Sequence, residues 1–163
     1  MPPSPSSPLE EAIRAARAED FLRAYTLFLD IYGTDESPRI QTPKDASGLS
    51  FFGLCIALVR KQQIKVAIEL CRRAIELEFY NPDHYANLAR VYNAAGNRKK
   101  AVESAEQGLK LHPEDEYLLN VRASLGVRAA PPLPFLDRSN PINVTLGQAR
   151  HAKKIAEEDK KKR

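Results

Sequence analysis

From Leu9 onward the apolar residues recur at steps of three and four, the spacing that puts them on one face of a helix. Ala12, Ile13 and Ala16 form a first stripe, and Phe21, Ala24, Tyr25, Phe28, Leu29 and Tyr32 a second, with a break at Glu19 and Asp20 and a stop at Gly33. Residues 34–43 hold two prolines and no periodicity, so they read as a loop longer than the usual span of about 4 to 6 residues. A further helix pair is predicted, first from Ser50 to Lys61 with Phe51, Leu54, Cys55 and Leu58 on one face. Its partner runs from Ile64 to Glu78 with Ala67, Ile68, Cys71, Ala74, Ile75 and Leu77. Another pair follows: Asn81 as cap and Pro82 at the first helical position launch Tyr85, Leu88, Ala89 and Tyr92, with a stop at Gly96. Its second helix carries Ala101, Val102, Ala105, Leu109 and Leu111 and ends at Pro113. A seventh helix is predicted from Glu114 to Leu125, its three acidic residues at the positive end of the helix dipole, closed by Gly126.

A shift of 34 residues overlays the two middle pairs: Phe51 on Tyr85, Leu54 on Leu88, Cys55 on Ala89, Leu58 on Tyr92, Ala67 on Ala101, Ile68 on Val102, Ile75 on Leu109 and Leu77 on Leu111. A helix pair this short cannot cover its own apolar face, so a period of this length predicts copies stacked on one another. Tyr85, Leu88, Ala89, Tyr92, Gly96, Ala101, Leu109, Leu111 and Pro113 follow the order aromatic, Leu, small, aromatic, turn Gly, small, closing Pro. In this the chain resembles the tetratricopeptide repeat family over about residues 9–126. Ala105 and Gly108 depart from the family's usual residues, and a helical Gly costs up to about 1 kcal/mol relative to Ala.

The resemblance implies an all-α fold of antiparallel helix-turn-helix repeats stacked as a short right-handed α-solenoid, with a C-terminal capping helix and an extended tail. Firm repeats fall at about 48–81 and 82–115, within a repeat domain at 9–126 behind a disordered leader at 1–8. The family lines its concave surface with the first helix of each pair. By offset the inner residues here are Leu49, Phe52, Ile56 and Arg60, then Asp83, Ala86, Asn87, Arg90 and Asn93, then Tyr117, Asn120 and Ser124. Phe52 and Ile56 lie off the face that packs inside their pair, so they either anchor a partner or pack against the first helix pair or the 34–43 loop. Members that grip a terminal carboxylate use Lys, Asn and Arg at such positions. Asn87 and Arg90 match, but Phe52 stands where Lys is expected, and Tyr117 and Val121 replace cations. The implied partner is a peptide or helix with an apolar anchor near Phe52 and an acidic or amide group near Arg90.

Charge adds a second theme. Residues 1–147 hold 18 cationic and 18 anionic side chains, so the formal +4 comes from the last 16 residues. There Arg150, Lys153, Lys154, Lys160, Lys161, Lys162 and Arg163 oppose Glu157, Glu158 and Asp159. This basic helix or tail, 145–163, is either a solvated helix end or a contact for polyanions. The alternative function is therefore a nucleic-acid-associated accessory protein held by the tail. Between the repeats and the tail, residues 127–144 carry Leu133, Phe135, Leu136 and Ile142 among prolines, as a strap on the repeats or a recognition segment. Asn140 and Pro141 are a launch point for the last helix. A proline-rich extension with a terminal basic helix resembles small bacterial members of the family.

The remaining composition excludes other classes. With 163 residues and 43% hydrophobic content, a single folded unit is expected. No apolar run suits a membrane span and residues 1–8, four Pro and three Ser among them, lack the regions of an export signal, so a cytoplasmic protein without membrane contact is expected. Cys55 and Cys71 then read as reduced core thiols on one helix pair. His84, His112 and His151 stand on separate segments without ligand spacing and read as structural surface residues. No phosphate-binding loop or nucleophile elbow occurs, and no catalytic residue, metal or cofactor is expected.

Overall fold

A computed structural model describes residues 7–33, 45–126 and 140–149. The described residues form α-helices and one turn of 3-10 helix, with no strand among them. The helices are α1 (Pro8–Arg17), α2 (Phe21–Tyr32), α3 (Ala46–Val59), α4 (Ile64–Leu77), α5 (Pro82–Ala94), α6 (Arg98–Leu111), α7 (Glu116–Ser124) and α8 over 141–149.

Side-chain caps set most of the starts. Ser7 accepts from Glu10 N while the Glu10 carboxylate accepts from Ser7 N, a capping box that begins α1 at Pro8. The leader thus gives up Ser7 and Pro8 to the helix, and its other residues lie outside those described. Asp20, Asn81, Asn97 and Asp115 cap α2, α5, α6 and α7. Because Asp115 is the cap, α7 starts two residues later than the acidic run suggests, and α3 starts four residues earlier than Ser50 and gives way to the 3-10 turn Lys61–Gln63. The break at Glu19 and Asp20 is where α1 ends, with Glu19 at φ 61°, and Gly33 and Gly96, at φ 83° and 73°, end α2 and follow α5 with backbone that glycine adopts most readily.

The chain divides into Met1–Gly126 and Val127–Arg163. In the first unit, α1 pairs with α2, α3 with α4 and α5 with α6, and α7 packs on α5 and α6. Successive pairs meet through α3, which touches α1, α2 and α5, and through α4 against α5. The 34-residue period is visible in the helices: α4 and α6 begin and end 34 residues apart.

The core runs through all three pairs and α7. Ala89 and Ala101 are fully buried, the small residues the repeat needs where the two helices of a pair approach. Gly108 is no weak point in α6: a Cβ there would lie 2.7 Å from the Cβ of Tyr85 and 2.9 Å from Leu118, so its bareness lets α5, α6 and α7 close together. Leu111, expected inside, is 38% exposed at the end of α6, and Leu70 joins the core in its own pair.

In the second unit, Asn140 Oδ1 accepts from Ile142 N at 3.0 Å and α8 begins at Pro141, so the helix starts before residue 145. Ile142, Val144 and Leu146 are exposed. Of the strap expected over 127–144, residues 127–139 lie outside the described residues and 140–144 form the cap and start of α8 instead, while the basic residues Arg150, Lys153, Lys154, Lys160, Lys161, Lys162 and Arg163 also lie outside them. No helix among the described residues is long and apolar enough to cross a membrane.

Candidate functional site

Of the twelve inner positions expected, Leu49 and Ala86 are completely buried, which removes them from any groove, Ser124 donates to Val121 O at 2.7 Å and Asp83 lines the cleft described below; the other eight separate into three groups. Phe52 and Ile56 are completely buried, which corrects their reading as partner anchors. The Phe52 ring lies 5.5 Å from Phe28, 5.7 Å from Tyr32 and 6.2 Å from Tyr25 between ring centroids, so α2 covers this face of α3 with aromatic side chains. Eleven of the fourteen residues of α3 are buried, as befits a helix that is apolar all round and surrounded by α1, α2, α4 and α5.

Arg60, Asn93 and Asn120 are exposed and outside any shared cluster. Asn87, Arg90 and Tyr117 do come together. Asn87, fully buried, donates from Nδ2 to Ser50 Oγ at 3.1 Å and accepts the Tyr117 hydroxyl at 2.9 Å. Arg90 Nη1 donates to the same hydroxyl at 3.1 Å, and Nη2 donates to Glu19 Oε1 at 2.9 Å. One chain of polar contacts therefore joins α3, α5, α7 and the turn between α1 and α2. Burial pushes the Tyr117 phenol up while Arg90 pulls it down, so the hydroxyl stays protonated and able to donate.

Above this network lies a cleft of about 390 Å³ lined by Arg17, Glu19, Asp83, Arg90 and Tyr117. Arg17 Nη2 pairs with Asp83 at 2.6 Å, as Arg90 does with Glu19. The guanidinium of Arg17 lies 5.5 Å over the Phe51 ring and that of Arg90 5.2 Å over Phe21, so each cation rests on an aromatic face and points a polar edge outward. Asp83 and Arg90 are 18% and 23% exposed, whereas Arg17 and Glu19 are 63% and 68% exposed. The outer member of each pair is the one a ligand can displace at small cost, since exposed pairs contribute only about 0 to 1 kcal/mol. Arg17 and Glu19 escaped the sequence reading because they belong to the first pair, which the 34-residue overlay of the two middle pairs does not include, although the acidic residue at the helix break was visible.

Other chemistry-bearing groups are elsewhere. Cys55 and Cys71 are free and buried, and Cys71 Sγ donates to Ser50 O at 3.4 Å. Burial pushes the Cys55 thiol up to about 12 and the Cys71 thiol higher, so both stay protonated and unreactive. His84 is fully buried, which corrects its assignment to the surface. No group of three His, Cys, Asp or Glu among the described residues could hold a metal ion. Compared with known proteins, the chain matches no protein-family model and no curated sequence.

Proposed function

We propose that the chain is a non-enzymatic interaction scaffold of the tetratricopeptide type, a short right-handed α-solenoid capped by α7, that binds a peptide or helix of a cytoplasmic protein partner. The observation that supports this reading most is the cleft over Arg17, Glu19, Asp83, Arg90 and Tyr117, open to solvent and built from the end of α1, the α1–α2 turn, α5 and α7. Its floor is fixed by the Ser50–Asn87–Tyr117–Arg90 network, so little side-chain ordering is left for binding. An acidic group of the partner would take the place of Glu19 on Arg90, and a backbone or amide donor the place of Arg17 on Asp83. The apolar anchor expected at Phe52 drops out of the scheme, since that ring serves the core.

The test is crosslinking and copurification with the full chain and with an Asp83→Ala, Arg90→Ala double variant shown by circular dichroism to be folded. Loss of one discrete protein partner in the variant supports the cleft, and an unchanged set of partners overturns it. The charge excess of residues 148–163 favours a second reading, nucleic-acid association. Binding to nucleic acid that weakens steeply with salt and vanishes when those residues are deleted would support it.

A further inference from the structure

His84 lies in the first turn of α5, completely buried, and neither of its ring nitrogens has an aligned hydrogen-bond partner among the described residues. Glu78 Oε2, in the turn that leads from α4 to α5, stands 3.4 Å from Nε2, near enough for charge attraction but out of hydrogen-bond alignment. The same carboxylate oxygen accepts from Asn81 Nδ2 at 3.4 Å, and that amide also donates to Ser47 Oγ in the first turn of α3 at 3.3 Å. Asn81 Oδ1 in turn caps α5 through Asp83 N at 3.1 Å. A small polar cluster thus ties α3, the α4–α5 turn and the start of α5 together, with an unpartnered imidazole at its buried end.

The charged groups that bear on His84 are Glu78, 40% exposed, and Asp83 on α5 itself, which Arg17 of α1 already holds at 2.6 Å. No charge on α4 or α6 among the described residues bears on it, and α3 carries no charged side chain at all. A neutral imidazole is tolerable in such a place. An imidazolium, with two N–H donors to satisfy and one partly solvated carboxylate nearby, is not, because buried charge without full pairing is costly.

We infer that His84 is a proton-operated latch: neutral, it lets the α4–α5 junction close on α3, and protonated, it opens that junction locally and frees the first turn of α5, Asp83 included. This concerns the opening of the junction and stands apart from the reading of the cleft. The direction follows from burial, which lowers the His84 pKa from its ordinary value of 6.5 while Glu78 and Asp83 pull the other way. In the open state the ring recovers its ordinary value. The stability the closed latch contributes is therefore present above about pH 6.5 and is lost as pH falls below that towards and through the closed-state value. One proton is involved, so opening increases by up to about tenfold per pH unit across that window.

Amide hydrogen exchange on the full chain tests it, read by mass spectrometry between about pH 7.5 and about pH 5.5 and corrected for intrinsic exchange. Residues 78–88 should show severalfold faster opening at the acid end while α2 stays level, and His84→Gln should remove the pH dependence. A level profile in the wild-type chain overturns the latch, as does an undiminished acid rise in His84→Gln. If that variant does not fold, Glu78→Gln decides. Loss of the counter-charge lowers the closed-state value further, so the rise should continue to lower pH, and an unaltered profile overturns the inference.

Discussion

α3 and α5 occupy matching places in successive helix pairs, and a 34-residue offset sets Ser50 against His84, Gly53 against Asn87 and Ile56 against Arg90. In α3 these positions are small or apolar, in α5 an imidazole, an amide and a guanidinium. What covers each helix accounts for the difference. α2 lays Tyr25, Phe28 and Tyr32 over Phe52, and the face is spent on the core. α5 also meets α7, only nine residues long, which presents the hydroxyl of Tyr117 to Asn87 and Arg90, so polar groups can be satisfied there and a cleft stays open. The same repeat register can therefore produce a buried hub in one copy and an open polar cleft in the next.

Substitutions that exchange these roles should break the comparison in a set order. Phe52→Ala empties the aromatic cluster and should cost about 3 to 5 kcal/mol in urea unfolding, the largest effect expected. Gly108→Ala comes next at about 1 to 3 kcal/mol, because the new methyl meets Tyr85 and Leu118 and outweighs the usual helical gain from Ala. Asn87→Ala should cost about 1 to 3 kcal/mol by the same measurement, since it strips buried partners from Ser50 and Tyr117. Arg17→Ala should lower stability by less than about 1 kcal/mol and leave partner capture in place, since the partner takes its position on Asp83, whereas Arg90→Ala should abolish capture. Equal costs for Phe52→Ala and Arg17→Ala would erase the distinction between hub and surface.

Much of this arrangement was legible in the chain because helix periodicity and the 34-residue offset are local patterns. The Asn81 cap, the break at Glu19, the Gly33 stop and the small residues Ala89 and Ala101 were all readable. The groove was misread at Phe52 and Ile56 for an identifiable reason: the repeat offsets assume that every first helix has a free inner face. The stretch Phe51–Val59 has no polar side chain able to meet water, and this was itself the sign of a helix covered all round. The cleft was less accessible to reading. Arg17 and Glu19 reach Asp83 and Arg90 across 66 and 71 residues, contacts that depend on how one pair leans over the next and leave no periodic trace. His84 gave a similarly weak signal, since an isolated histidine in a first turn looks the same whether it faces water or α3.

The two buried thiols give the protein a built-in stopwatch. Cys55 and Cys71 belong to the hub pair, are shut away from solvent and are held protonated, so a thiol-labelling reagent can reach them only when α3 and α4 part. Labelling rates in the unmodified chain would time the opening of the hub separately from the α4–α5 junction. A partner bound across the cleft would register as a slower clock only if it also clamps α3, which makes the two cysteines native reporters of how far binding is felt inside the stack.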